Sequence, residues 1–485
     1  MLFNSLSFAL FFVVLISVHF TIPHRFRWML MLTASYYFYM CWNVGYILLI
    51  VTSTVITWYA GLKIAELPDK KGRKIFLLLS LAANLGALLF FKYFNFFTSS
   101  LFEISAKLNF FIGHDAPLLH LMLPVGISFY TFQTVSYTID IYQNKIEPEK
   151  HLGIFALYVA FWPRIVAGPI ERAGRLMPQF RQVMSFDYNT ATDGLRLVMW
   201  GMVKKVVIAD QLALYVNQVF DNCQDYTGTP LITASIFFTI QIYCDFSGYS
   251  DMAIGTARVM GYELTENFRH PYFASSLREF WQRWHISLST WFRDYVYIPL
   301  GGNRVVKWRF YYNLFITFLI SGLWHGANWT FVIWGGLHGI YLVIEHIAEE
   351  FFRKFWTDKK SNVKNIDSSL CYRIRVAITL ILVNYAWIFF RANSVSDAFS
   401  ITAKMFMFGG KNPSVPVVEP HVFMLSVLLI LLLIVVEFKE QSIKIEHYIA
   451  TLPTGARWSI YTLGLWAIII STIFGVKQEF IYFQF

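Results

Sequence analysis

The chain has 485 residues, of which 56% are hydrophobic, 19% aromatic and only 14% charged, and its mean hydropathy is +0.49. That is more apolar surface than one water-soluble core buries, which excludes a soluble globular enzyme and makes lipid the solvent. A net charge of +10 belongs on such a chain to basic cytoplasmic loops, not to a nucleic-acid site, because no soluble basic domain stands apart.

Inside a bilayer every backbone polar group needs an internal partner, so spanning elements are helices or a closed barrel, and long unbroken apolar runs select helices. Such runs lie near 5–22, 28–43, 45–61, 75–97, 118–142, 152–162, 195–220, 231–260, 311–323, 329–347, 376–391, 421–437 and 458–475. The expected fold is therefore all-α, a polytopic integral membrane protein. Leu6 to Phe20 has no basic residues before it and no small-residue cleavage site after it, so it reads as a retained first helix and not as a secretory signal. A span needs roughly 20 residues at ~1.5 Å rise each, so the runs at 152–162 and 311–323 read as re-entrant or half-membrane helices. These survive only where protein or a water-filled cavity surrounds them, which implies an internal chamber.

Three loops collect the basic residues: Lys63, Lys70, Lys71, Arg73 and Lys74; Arg353, Lys354, Lys359, Lys360, Lys364, Arg373 and Arg375; and Lys439, Lys444 and Arg457. The 409–420 loop holds only Lys411. Cytoplasmic loops carry the excess of Lys and Arg, which puts both the N-terminus and the C-terminal tail outside the cell. The chain then divides, within a single transmembrane domain, into N-terminal helices (1–150), a core with a cytoplasm-facing vestibule (151–350), C-terminal helices (376–475) and an extracytoplasmic aromatic tail (477–485). Arg269, Arg278, Arg283, Arg293, Arg304, Lys307 and Arg309 would form the inner vestibule.

The four cysteines, Cys41, Cys223, Cys244 and Cys371, have no metal-ligand spacing, so neither a zinc site nor a disulfide framework is expected. No nucleophile elbow, P-loop or zinc-protease helix is present, which leaves direct, base-assisted transfer to an alcohol as the simplest chemistry. The candidates for that base stand in 279-EFWQRWHISLSTWFRDYVYIPLGG-302 and 321-SGLWHGANWTFVIWGGLHG-339, which hold His285, His325 and His338. Ionisable groups at membrane depth are costly and so are functional candidates. A helix beginning at Tyr311 carries His325 about 20 Å inward, whereas His285 sits in the interfacial stretch. A neutral imidazole can take a proton from a hydroxyl. A lone histidine is as readily a helix-to-helix hydrogen bonder, but Gly322 and Gly326 beside Trp324-His325, with Trp329 and Trp334 as a water-excluding wall, favour the base. His338 reads as a helix-packing residue.

These motifs, Phe280-Trp281-Gln282-Arg283-Trp284-His285, Trp291-Phe292-Arg293-Asp294-Tyr295 and Gly322-Leu323-Trp324-His325-Gly326, with 161-FWPRIVAGPIER-172 and 243-YCDFSGYSDMAIG-255, resemble the membrane-bound O-acyltransferases, in the bacterial alginate O-acetylation branch. The resemblance implies a ring of about 11 or more transmembrane helices, with half-membrane helices, around a central tunnel in a bacterial inner membrane. It further implies a cytoplasmic donor, here acetyl-CoA bound as a substrate with no resident cofactor or metal. The product would be an O-acetylated surface polysaccharide, finished by an extracytoplasmic hydrolase-like partner. By the same resemblance His325 is the catalytic histidine and His285 the supporting one near the inner mouth. Trp324, Asn328, Asp245, Ser247, Tyr249, Asp251, Arg283, Trp284, Arg293 and Asp294 would line the tunnel, with helix-to-helix hydrogen bonding an equal reading for Asp245, Ser247, Tyr249 and Asp251. The segment 480-FIYFQF-485 is similar to a terminal aromatic motif of these systems, which makes Tyr482 either an acyl relay or an aromatic anchor at the headgroups. Transfer of D-alanine, transfer of a long acyl chain to a lipid, and transport are the rival readings. Transport would call for inverted repeats, and the halves show no self-similarity.

Overall fold

A computed structural model describes residues 1–108, 118–119, 124–357, 368–408, 419–474 and 480–481. Tyr482, most of the 409–420 loop and the lysines at 359, 360 and 364 lie outside the described residues. Among the described residues all regular structure is helical, as the unbroken apolar runs require. Seven helical stretches among the described residues are long and apolar enough to cross a membrane, including Tyr46–Glu66, Lys70–Lys107, Thr229–Val259 and Pro420–Glu440. The apolar run at 311–323 is embedded in a longer helix, Lys307–His325, whose first turn adds Trp308 and Phe310, pairs Lys307 with Glu350 and lays Arg309 over the Tyr312 ring. In the 118–142 run the described residues are helical from Ile127 to Tyr142.

The chain forms two compact units, Met1–Val198 with Tyr249–Thr265, and Met199–Gly248 with Glu266–Phe485. In the first, polar side chains tie three helices where the hydrophobic effect cannot. Asn84 donates to Thr57 at 3.0 Å and accepts from Thr134 at 3.1 Å, and Ser80 meets Thr138 at 3.1 Å. Such bonds are common glue between helices in lipid. The short helix Leu152–Ala160 stops before Pro163, and the buried Arg164 guanidinium turns back onto the carbonyls of Tyr158 and Val159. A cation at a helix C-terminus satisfies carbonyls that have no partner within the helix.

In the second unit, helices Lys307–His325 and Trp329–Thr357 form a tight hairpin. A Cβ on Gly322 would lie 2.3 Å from the Phe331 carbonyl oxygen, and one on Gly335 would lie 2.3 Å from that of Phe318. Only glycine lets the two backbones approach this closely. The hairpin fixes the height of His325, the last residue of its first arm.

Candidate active site

His325 is 3% exposed and is boxed by aromatic rings. Trp334 meets it edge to face at 4.9 Å, Phe390 at 5.4 Å and its neighbour Trp324 at 4.8 Å. Behind them Trp334 stacks on Trp387 at 5.6 Å. The water-excluding wall expected from the sequence is thus present, with one correction: Trp329 is 48% exposed. As the first residue of its helix it points outward, and Trp387 and Phe390, from the helix Ser368–Arg391, take its place.

His285 is fully buried and stands at a turn between two short helices, Leu277–Arg283 and Ile286–Phe292. Its φ of 44° is in the left-handed region, which costs a non-glycine residue about 1–3 kcal/mol and persists only where the surroundings over-determine it. Asn267 does much of that. Its carbonyl accepts from the Ile286 N–H at 2.9 Å and its side-chain oxygen from the Ser287 hydroxyl at 2.7 Å. The His285 ring packs edge-on against Phe246 at 4.5 Å and lies 6.2 Å from Trp324. Trp324 therefore stands between the two histidines. His338 accepts from the Trp281 indole N–H at 3.3 Å, which fits its reading as a packing residue.

A cavity of about 880 Å³ opens beside this cluster. It is lined by Arg278, Arg293, Lys307 and His346 together with Trp281, Phe318 and Ser321, and of these Arg278, Arg293 and Lys307 are exposed and mark its open side. Ser321 lies one helical turn before His325 on the same face. Neither His325 nor His285 is itself among the lining residues, so the cavity ends one turn and one tryptophan short of the candidate base. Of the basic residues expected in a vestibule, Arg278, Arg293 and Lys307 line it.

The other expected site residues divide. Arg283 pairs with Glu279, whose carboxyl is itself held below its usual range. Burial opposes that ionisation, but bonds from the Ser275 N–H and hydroxyl and the Arg283 charge outweigh it. Trp284 stacks on Phe280 at 5.6 Å and meets Trp387 at 5.0 Å, which makes it wall. Arg293 is exposed at the cavity mouth and pairs with its neighbour Asp294 at 2.8 Å. Asn328 caps the helix it precedes, accepting from the Thr330 N–H at 3.0 Å. Tyr249 and Asp251 belong to the first unit, where Tyr249 packs on Phe3 at 4.8 Å. Ser247 is fully buried.

Asp245 makes the least foreseen connection. Lys205 pairs with it at 2.5 Å and with Asp210 at 2.8 Å, and its second oxygen accepts the Ile481 N–H at 2.8 Å. Lys205 is 5% exposed and its neighbour Lys204 4%, and two buried lysines side by side among apolar residues were the available signal. Elsewhere, His270 Nδ1 lies 2.6 Å from Glu437, and with Glu440 the three groups bring ligand atoms within 4.8 Å of one another. Both Glu437 oxygens are already engaged, one by His270 and one by the Tyr243 hydroxyl at 2.7 Å.

Residues 149–383 match the model of MBOAT, the membrane-bound O-acyltransferase family. The probable alginate O-acetylase of Pseudomonas aeruginosa is 40% identical over 411 residues, 84% of this chain and 75% of that protein. The peptidoglycan O-acetyltransferase of Helicobacter pylori is 38% identical over 399 residues, 77% and 72% of the two chains. A teichoic acid D-alanyltransferase of Streptococcus thermophilus is 30% identical over 260 residues, 50% and 60%. With this extent of likeness, and with the histidine hairpin at the heart of the matched region, the chain belongs to the membrane-bound O-acyltransferase family.

Proposed function

We propose that this O-acyltransferase takes an acetyl group from cytoplasmic acetyl-CoA and passes it across a bacterial inner membrane for O-acetylation of a surface polysaccharide. The observation that carries the proposal is the placing of His325: dry, ringed by tryptophan and phenylalanine, and one turn from a cavity whose mouth is basic. Arg278, Arg293 and Lys307 suit the phosphates of a coenzyme A thioester, and the apolar interior suits its acyl end. The acetyl donor is favoured over D-alanine because the two acetyl-transferring relatives match 84% and 77% of this chain and the D-alanyl relative 50%.

In this reading His325 takes the proton of an acceptor hydroxyl as its oxygen attacks the thioester carbonyl. The C–O bond forms, the C–S bond breaks, and the coenzyme A thiolate leaves and receives the proton back from the imidazolium. The first acceptor is the Tyr482 phenol, a group more acidic than a sugar hydroxyl, and an extracytoplasmic hydrolase-like partner moves the acetyl on to the polymer. Both termini stand outside the cell. Purified protein incubated with radiolabelled acetyl-CoA would acquire label on the chain, and a His325→Ala strain with normal protein level would lack polymer acetate. Normal acetate in that strain would refute the mechanism.

A further inference from the structure

The segment that carries Tyr482 is tied down one residue earlier. Ile481 is 4% exposed and Phe480 2%, although neither belongs to a long helix. The Ile481 N–H donates at 2.8 Å to Asp245, a 2% exposed carboxylate in the middle of the helix Thr229–Val259. An ionised carboxylate at this depth needs a cation, and Lys205 supplies it at 2.5 Å while bridging to Asp210 at 2.8 Å. A hydrogen bond to such a charged acceptor is shorter and stronger than one between neutral groups, and a buried carboxylate has nowhere else to turn.

The next residue on the same helix makes the second connection. The Phe246 ring meets both Phe480, at 6.1 Å, and His285, edge-on at 4.5 Å. Asp245 therefore grips the backbone of this segment while Phe246 sets its aromatic side chain beside the ring that covers a candidate site histidine. Helix packing alone asks for no carboxylate here, since an apolar pair of equal volume commonly serves as well as a buried ion pair.

We infer that Asp245, held by Lys205, is a positioning residue: it docks Phe480 and Ile481, the residues that lead into Tyr482, and acetyl transfer to Tyr482 depends on that docking. This rests on the reading of Tyr482 as the first acceptor. Fixing an acceptor within reach of a thioester converts a bimolecular encounter into an internal one, so releasing the segment lowers turnover without weakening the donor's grip.

The test separates docking from transfer. In a cysteine-free background, Ile481→Cys keeps the backbone donor and puts a thiol in the buried position. Its alkylation by a membrane-permeant maleimide is expected to be slow, and at least tenfold faster when Asp245→Ala is added. Equal rates in the two folded proteins overturn the inference. Because Asp245→Ala leaves Lys205 without one of its two carboxylates and can impair folding, Ile481→Pro provides a second route, removing the N–H while Lys205 keeps both carboxylates, although the ring also fixes φ. Relative to Ile481→Val, which retains it, Ile481→Pro should lose at least tenfold in acetyl transfer while the KM for acetyl-CoA stays within twofold. Equal turnover in the two, or a loss confined to KM, also overturns it. If Tyr482→Phe takes up label normally, the acceptor reading fails on its own, and the alkylation rates still decide whether Asp245 docks the segment.

Discussion

The ring of His325 meets that of Trp334 edge to face at 4.9 Å, and Trp334 comes from the helix that the Gly322–Gly335 contact presses against the His325 helix. The candidate base is thus positioned by the same crossing that builds the hairpin, and it is 3% exposed. A general base in such a place contributes about 10²–10⁴-fold. His325→Ala should lower acetyl transfer from acetyl-CoA by that factor with a normal yield of folded protein. A loss below tenfold in purified protein would mean that another group takes the proton.

The glycine crossing makes its own prediction. Gly335→Ala places a methyl group 2.3 Å from a backbone oxygen, which the hairpin relieves only by separating, at about 1–3 kcal/mol or more. Gly336→Ala, one residue on, meets nothing closer than 3.8 Å and gains helix propensity worth up to ~1 kcal/mol. Thermal unfolding of the two variants in detergent should place Gly335→Ala well below the parent and Gly336→Ala at or above it. Similar melting temperatures would show that the close approach is not what holds the hairpin.

Charge at the cavity mouth should be felt by the donor and little by the chemistry. Arg293 is exposed, so its attraction for a phosphate is screened and worth about 1 kcal/mol or less. Arg293→Glu reverses the sign, and a several-fold rise in KM for acetyl-CoA at low salt is expected, fading as ionic strength increases, with kcat nearly unchanged. A fall in kcat at constant KM would place Arg293 in the transfer step instead.

Much of the fold was legible because apolar runs in lipid have few alternatives: the run at 231–260 is the helix Thr229–Val259, and that at 421–437 lies within Pro420–Glu440. In the 118–142 run the helix Ile127–Tyr142 starts only after Pro124 and Gly126, whose φ of 75° stands outside the helical region. At the site, both histidines were visible as ionisable groups among apolar ones, and Trp334 as wall. Trp329 was not legible, since which way a first-turn ring points depends on the incoming chain. Least legible was the Asp245 cluster. Its partners Lys205 and Ile481 stand 40 and 236 residues away along the chain, and no local pattern connects such distances.

His270 and Glu437 offer a pH test away from the chemistry. Burial and the Lys204 charge push the His270 imidazole down, but the hydrogen bond and charge of Glu437, with Glu440, outweigh them and hold its pKa above 6.5. A histidine raised in the folded state contributes stability that is fully present below its unfolded value of about 6.5 and is lost as pH rises through the folded value. A hydrogen bond between charged partners is worth roughly 1.5–3 kcal/mol, so His270→Gln should melt below the parent at pH 6, with the gap narrowing as the buffer is taken to pH 9. A gap that stayed constant or widened toward alkaline pH would mean that His270 is neutral in the folded protein and that Glu437 is held by the Tyr243 hydroxyl instead.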